Sequence, residues 1–202
     1  MYRFLFGLVK ILLLPFLRVR VYGKENIPHG SGYVLASGHT SNWDPVVLGF
    51  ACPDELNFMA KKELFKNKIL AAILRSVNAF PIDRGANDVR AIKTALRVLK
   101  DNKPLLIFPE GKRIKEQNQT DDDAKNGMTM LAHRMHVPVL PAAIVGEYKI
   151  FKTVEVIFGK PIYLDKYYDM KLNNEQMHEI SKEILNEIRK IGADEKKSLA
   201  KK

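Results

Sequence analysis

Seven short apolar, β-branched runs alternate along this chain with stretches of helical period, and that alternation restricts the fold more than any other feature. The runs fall at 18–22, 33–37, 57–60, 79–82, 105–108, 139–144 and 153–158. Helical stretches are expected at 45–51, 62–76, 87–101, 127–136 and 174–191. Val89, Ile92, Leu96 and Leu99 give one helix an apolar face, and Met177, Ile180, Ile184 and Ile188 do the same for the last. Strands separated by helices cannot pair as hairpins, so the pattern predicts a single α/β domain with a mixed, mostly parallel sheet flanked by helices on both faces. A chain of 202 residues is long enough to bury such a core. The domain is placed at 20–192, after an apolar N-terminal stretch at 1–19 and before a Lys-rich tail at 193–202 expected to fray.

In open α/β sheets the loops at strand ends bind ligands, and four of these loops carry polar patterns. The first is His39-Thr40-Ser41-Asn42-Trp43-Asp44, directly after the second apolar run. An imidazole has a reference pKa of about 6.5 and is often a neutral base near pH 7. A carboxylate on one ring nitrogen fixes the tautomer and frees the other nitrogen for proton transfer. No nucleophile-elbow pattern surrounds Ser41, so the pair reads as a base for a substrate hydroxyl and not for a protein nucleophile. The same residues also fit a plain helix start, with Asp44 at the N-cap, Pro45 at N1 and His39 as an ordinary loop residue.

The other patterns are Phe80-Pro81-Ile82-Asp83-Arg84, Phe108-Pro109-Glu110-Gly111-Lys112-Arg113 and Val137-Pro138-Val139-Leu140-Pro141. Between and beyond them lie Ala60-Lys61-Lys62-Glu63-Leu64, Lys125-Asn126-Gly127 and Val156-Ile157-Phe158-Gly159-Lys160-Pro161. In this order the segments resemble motifs I to IV of the glycerolipid acyltransferases, and most of all the 1-acyl-sn-glycerol-3-phosphate acyltransferase family. The resemblance spans about residues 21–162. It implies an αβ fold, His39 and Asp44 as catalytic residues, and substrate binding by Lys61, Arg84, Glu110, Gly111 and Arg113. It implies transfer from an acyl-coenzyme A or acyl carrier protein thioester to the sn-2 hydroxyl of lysophosphatidic acid, with no metal or bound cofactor. Two positions depart from the family pattern: Lys112 stands where Thr is usual, and Ile114 where Ser is usual. Both lie in the loop that the family uses for its acceptor, so glycerol 3-phosphate or another lysolipid remains an alternative acceptor.

Taken alone, the residues allow blander readings. Glu110-Gly111 is a tight turn, Arg84 a surface cation beside Asp83, and Lys61 and Lys62 solvated charges at a helix start. Yet cations there oppose the helix dipole, which favours an anionic ligand between them. His133 and His136 lack the companions of a metal site, and Asp121-Asp122-Asp123 sits in polar loop composition. Pro138 and Pro141 are expected to shape a strand and an acyl-chain pocket.

Charge and the N-terminus bear on partners. A net charge of +10 calls for an anionic one, such as a phosphorylated substrate, acidic lipid, acidic carrier or nucleic acid. No aromatic-and-basic RNA signature or helix-turn-helix spacing appears, which argues against nucleic acid. One cysteine, Cys52, excludes an internal disulfide and reads as a buried thiol. On a helix at about 100° per residue, Arg3, Gly7, Lys10, Leu14 and Arg18 share a stripe of roughly 80°, with Tyr2, Phe4, Phe6, Ile11, Leu13 and Phe16 around the rest. Lys10 interrupts a stretch too short for the about 20 apolar residues of a span. The expectation is an interfacial helix on anionic lipid, with a signal peptide or a core helix as alternatives. The chain is expected to be a peripheral, monotopic protein on the cytoplasmic face of a bacterial cell membrane. The remaining alternative is a non-enzymatic basic lipid-binding module, which leaves the ordered motifs unexplained.

Overall fold

The computed structural model describes residues 2, 6–7, 18–83, 88–114, 120 and 124–199. Among the described residues seven strands form one sheet: β1 Arg18–Tyr22, β2 Val34–Ser37, β3 Asn57–Lys61, β4 Ala79–Ile82, β5 Leu105–Ile107, β6 Val139–Gly146 and β7 Thr153–Phe158. Their spatial order is β1-β7-β6-β2-β5-β3-β4. Neighbours run parallel except β6 and β7, which pair antiparallel with Ile144 opposite Val156. The sheet is therefore mixed and mostly parallel, as the alternation predicts.

Among the described residues these helices cover it: α1 Asp44–Ala51, α2 Lys68–Ser76, α3 Val89–Lys100, α4 Gly127–Met135 and α5 Asn174–Leu199. A parallel sheet is buried on both faces, so its central strands are apolar throughout rather than alternating. All four residues of β2 are buried. Leu35 and Leu106 point into one layer with Val47 and Leu48 of α1. Val34 and Leu105 point into the other, with Ala95 and Leu99 of α3, Leu131 of α4 and Ile184 and Ile188 of α5.

Three elements differ from the sequence expectation. The single helix at 62–76 is a short 3₁₀ turn, Lys62–Phe65, followed by α2. The break comes at Asn67, whose side chain caps α2 by accepting from the Ile69 and Leu70 amides at 3.0 and 3.1 Å. In α3 the stripe against the sheet is Ala91, Ala95 and Leu99, while Val89 is 58% exposed. Alanines let the helix approach closely, so side-chain size outweighs the apolar face read from the larger residues. Finally, α5 runs through Gly192 into the segment expected to fray, and ends at Leu199. Gly192 lies within the helix beside Ala143, where a Cβ would stand at an ordinary contact distance of 3.5 Å.

Most of the N-terminal stretch lies outside the described residues, including Arg3, Lys10 and the apolar run up to Leu17. Tyr2 and Phe6 are described, and both pack inward. Tyr2 is buried and its hydroxyl accepts from the Leu56 amide at 3.1 Å. The Phe6 ring lies 4.6 Å from that of Tyr2 and 5.4 Å, edge-on, from that of Phe50. Tyr2 belongs to the domain core, and Phe6 packs against it half-buried.

Candidate active site

The loop after β2 turns back on itself around one carboxylate. Asp44 is the first residue of α1, and it is fully buried. A charge in that position is tolerable only with a full set of donors. Asp44 Oδ2 accepts from the Thr40 amide at 2.8 Å, the Ser41 amide at 2.7 Å and His39 Nδ1 at 3.0 Å. Its Oδ1 accepts from the Tyr148 hydroxyl at 2.6 Å. Because a carboxylate only accepts, Nδ1 carries the hydrogen, and Nε2 is left as the basic ring nitrogen. A helix does start here, with Trp43 rather than Asp44 at the N-cap and Pro45 in the first turn, while the Asp44 carboxylate is turned back onto the loop amides.

The imidazole is fixed from two further sides. Its ring stacks on Phe108 at 4.0 Å between centroids and 17° between planes. Glu110, fully buried, accepts from the His39 amide through Oε2 at 3.1 Å. The His39 carbonyl accepts from the Ile114 amide at 2.9 Å. The loop after β5 thus holds both the ring and the main chain of His39. Ile114 is buried here, so the residue that replaces the usual Ser supports this loop. Gly111 turns the chain with φ +66°, in the left-handed region that glycine enters freely.

A groove of about 510 Å³ opens beside the imidazole. Phe58, Leu74, Val77, Ala79 and Leu106 give it apolar walls, while His39, Lys61 and Arg113 lie along it. Pro138 and Pro141 take no part in that lining; both are buried in and beside β6. Glu110 and Gly111 sit behind His39 rather than on the groove. Lys61 faces Glu63 at 3.8 Å and remains 57% exposed, whereas Lys62 is paired tightly with Asp83. Arg84, the remaining residue expected to bind substrate, lies outside the described residues.

Tyr148 was not legible in the sequence. It lies 104 positions from Asp44, in the β6–β7 connection, and no motif points to it. Burial first, then the charge of Asp44, pushes its phenol far above the ordinary tyrosine range, so it stays a hydrogen-bond donor. The Ser41 hydroxyl accepts from the Trp43 amide at 3.2 Å and is not hydrogen-bonded to the imidazole.

A base with no protein nucleophile beside it, set at the end of a parallel sheet over an apolar groove, suits direct transfer of a fatty acyl group to a substrate hydroxyl. Comparison with known proteins gives the same class. The model of the family described as Acyltransferase matches residues 18–145, and the chain belongs to that family of enzymes. A 1-acyl-sn-glycerol-3-phosphate acyltransferase of Bacillus subtilis is 36% identical over 169 residues, covering 81% of this chain and 83% of its own. One of Streptococcus pneumoniae is 32% identical over 204 residues, covering 96% of this chain and 74% of its own. The crystal structure of the 1-acyl-sn-glycerophosphate acyltransferase PlsC from Thermotoga maritima shares the fold, with a TM-score of 0.68 at 22% identity over 92% of this chain and 76% of that one.

Proposed function

We propose that this enzyme acylates the sn-2 hydroxyl of 1-acylglycerol 3-phosphate, giving phosphatidic acid for phospholipid synthesis. The observation that carries the reading is the His39–Asp44 pair, held by the Thr40 and Ser41 amides and the Tyr148 hydroxyl at an apolar groove that Lys61 and Arg113 border. The names of the two bacterial relatives support the same acceptor.

In this mechanism His39 Nε2 takes the hydroxyl proton as the oxygen attacks the thioester carbonyl. The C–O bond forms and the C–S bond breaks. The imidazolium then returns its proton to the leaving sulfur, so a thioester and an alcohol become an ester and a thiol. Asp44 holds the ring and stabilises the imidazolium between the two transfers. Proton transfer of this kind supplies about 10²–10⁴-fold, and positioning of the two substrates supplies much of the rest. Lys61 and Arg113 would take the acceptor phosphate, where guanidinium geometry favours bidentate contact. The donor is an acyl thioester of coenzyme A or of acyl carrier protein. The enzyme works as a peripheral protein at an anionic membrane surface; among the described residues no helix is long and apolar enough to cross a membrane.

The test is direct. Purified protein is given labelled lysophosphatidic acid, lysophosphatidylcholine or glycerol 3-phosphate, each with either donor, and the lipid products are identified. Phosphatidic acid should predominate. A clear preference for glycerol 3-phosphate, or for the zwitterionic lysolipid, would overturn the assignment.

A further inference from the structure

Several large apolar side chains lie open to solvent at the end of the sheet that carries the dyad. The β6–β7 connection leaves the sheet at the same end as the His39 loop, because β6 runs parallel to β2. At its tip Ile150 is 63% and Phe151 71% exposed, flanked by Lys149 and Lys152. The tip is an ordered turn. The Lys149 amide donates to the Glu147 carbonyl at 2.8 Å, and the Lys152 amide to the Lys149 carbonyl at 3.1 Å. Phe151 has φ +64°, a left-handed conformation that is costly for an aromatic residue. Across the site, α2 follows β3, also parallel to the core strands, and begins at this same end. It leaves Ile69 75% and Ile73 49% exposed, a pair one turn apart on one helix face.

We infer that the β6–β7 tip and the outer face of α2 are two docking points for an anionic lipid bilayer, one on each side of the catalytic loop. Charge identifies the occupant. The apolar pair of the tip lies between two lysines, α2 starts with Lys68 just after Lys66, and the whole chain carries +10. Apolar side chains enter the acyl boundary while neighbouring cations meet lipid phosphates. Glu147 is the local acid, and it is neutralised by Lys149 at 2.9 Å. Position agrees as well. The Arg18 amide donates to the Lys152 carbonyl at 3.3 Å, so the tip adjoins the point where the apolar N-terminal stretch joins the domain. Contact on both sides of His39 turns the groove toward the lipid. The surface deepens the proposed function, since it delivers an acceptor that resides in a membrane.

The experiment pairs Ile150→Ser/Phe151→Ser with Ile69→Ser/Ile73→Ser, each checked for fold by circular dichroism. Binding is read by sedimentation with phosphatidylglycerol vesicles. Transfer is read with lysophosphatidic acid in those vesicles and with a short-chain, water-soluble analogue. Each pair should weaken vesicle binding by at least about tenfold, the factor that half the transfer gain of two such side chains carries. Transfer from vesicles should fall with it, and transfer to the soluble analogue should stay at the wild-type rate. Wild-type binding by both variants overturns the inference. So does loss of self-association in place of vesicle binding, which would make the surface a contact between copies of the chain. A wild-type enzyme that acylates neither form of the acceptor overturns the proposed function instead, while the vesicle measurements still decide the surface.

Discussion

Tyr148→Phe removes one oxygen and nothing else, at the position where the dyad depends on a residue far away in sequence. Three of the four donors to Asp44 fall on Oδ2; Tyr148 is the donor that serves Oδ1 among the described residues. The phenylalanine ring fills the same space, so the loss is that of a single hydrogen bond to a buried charge. Such bonds contribute about 1.5–3 kcal/mol. Stability should fall by that amount, or about 2–4 °C in Tm for each kcal/mol. The negative charge matters most when the imidazolium forms, and if about half of the loss appears there, kcat falls about 3- to 12-fold. KM for the acceptor should hardly change, because Tyr148 does not line the groove. Steady-state kinetics at saturating donor, with thermal unfolding on the same samples, measures both quantities. Unchanged kcat in a variant of unchanged stability would show that Oδ1 needs no protein donor. A drop as deep as that of His39→Ala would mean that Tyr148 meets the substrate directly.

His39→Ala should lower transfer by about 10²–10⁴-fold with the circular dichroism spectrum preserved, and Asp44→Asn should also be severely impaired because the amide favours the wrong tautomer; near-normal turnover in either refutes the dyad. Lys61→Ala and Arg113→Ala should raise KM for the acceptor by a few-fold to about tenfold and leave the donor's KM nearly unchanged, the modest size reflecting solvent screening at an exposed site. Equal loss for both substrates would remove these residues from the phosphate site. Burial first, and then the Glu195 carboxyl, raises the Glu155 carboxyl above its ordinary range. Its contribution to stability is therefore complete below about pH 4.3, the unfolded value, and is lost as pH rises through the folded one. Glu155→Gln should remove that part of the slope in urea unfolding from acid to neutral pH, and an unchanged slope would contradict it.

The sheet was legible because its signal is local. Strand runs such as 79–82 and 153–158 need only their own apolar, β-branched content, and the structure reproduces both bounds. Helix faces were less legible, because α3 meets the sheet through Ala91 and Ala95, residues that carry little hydrophobic weight in a periodicity count. The extent of α5 was missed because the polar, Lys-rich composition after residue 192 reads as a fraying tail, whereas the helix continues to Leu199. At the site, the five-residue spacing of His39 and Asp44 stands in the sequence, but their environment does not. The Phe108 stack, the Glu110 anchor and the Tyr148 hydrogen bond join loops that only the parallel order of β2, β5 and β6 brings together.

The chain has one tryptophan, and it stands between the two members of the dyad. Trp43 is 45% exposed, and its amide is held by the Ser41 hydroxyl. Intrinsic emission excited at the indole band is therefore a report from the catalytic loop and from nowhere else in the molecule. Unfolding followed by this emission records when that loop lets go of Asp44. Circular dichroism, dominated by α3 and α5, records the loss of the helical layer. The two curves coincide only if the loop and the scaffold melt as a unit, so a conventional optical titration measures how firmly the active site is coupled to the fold.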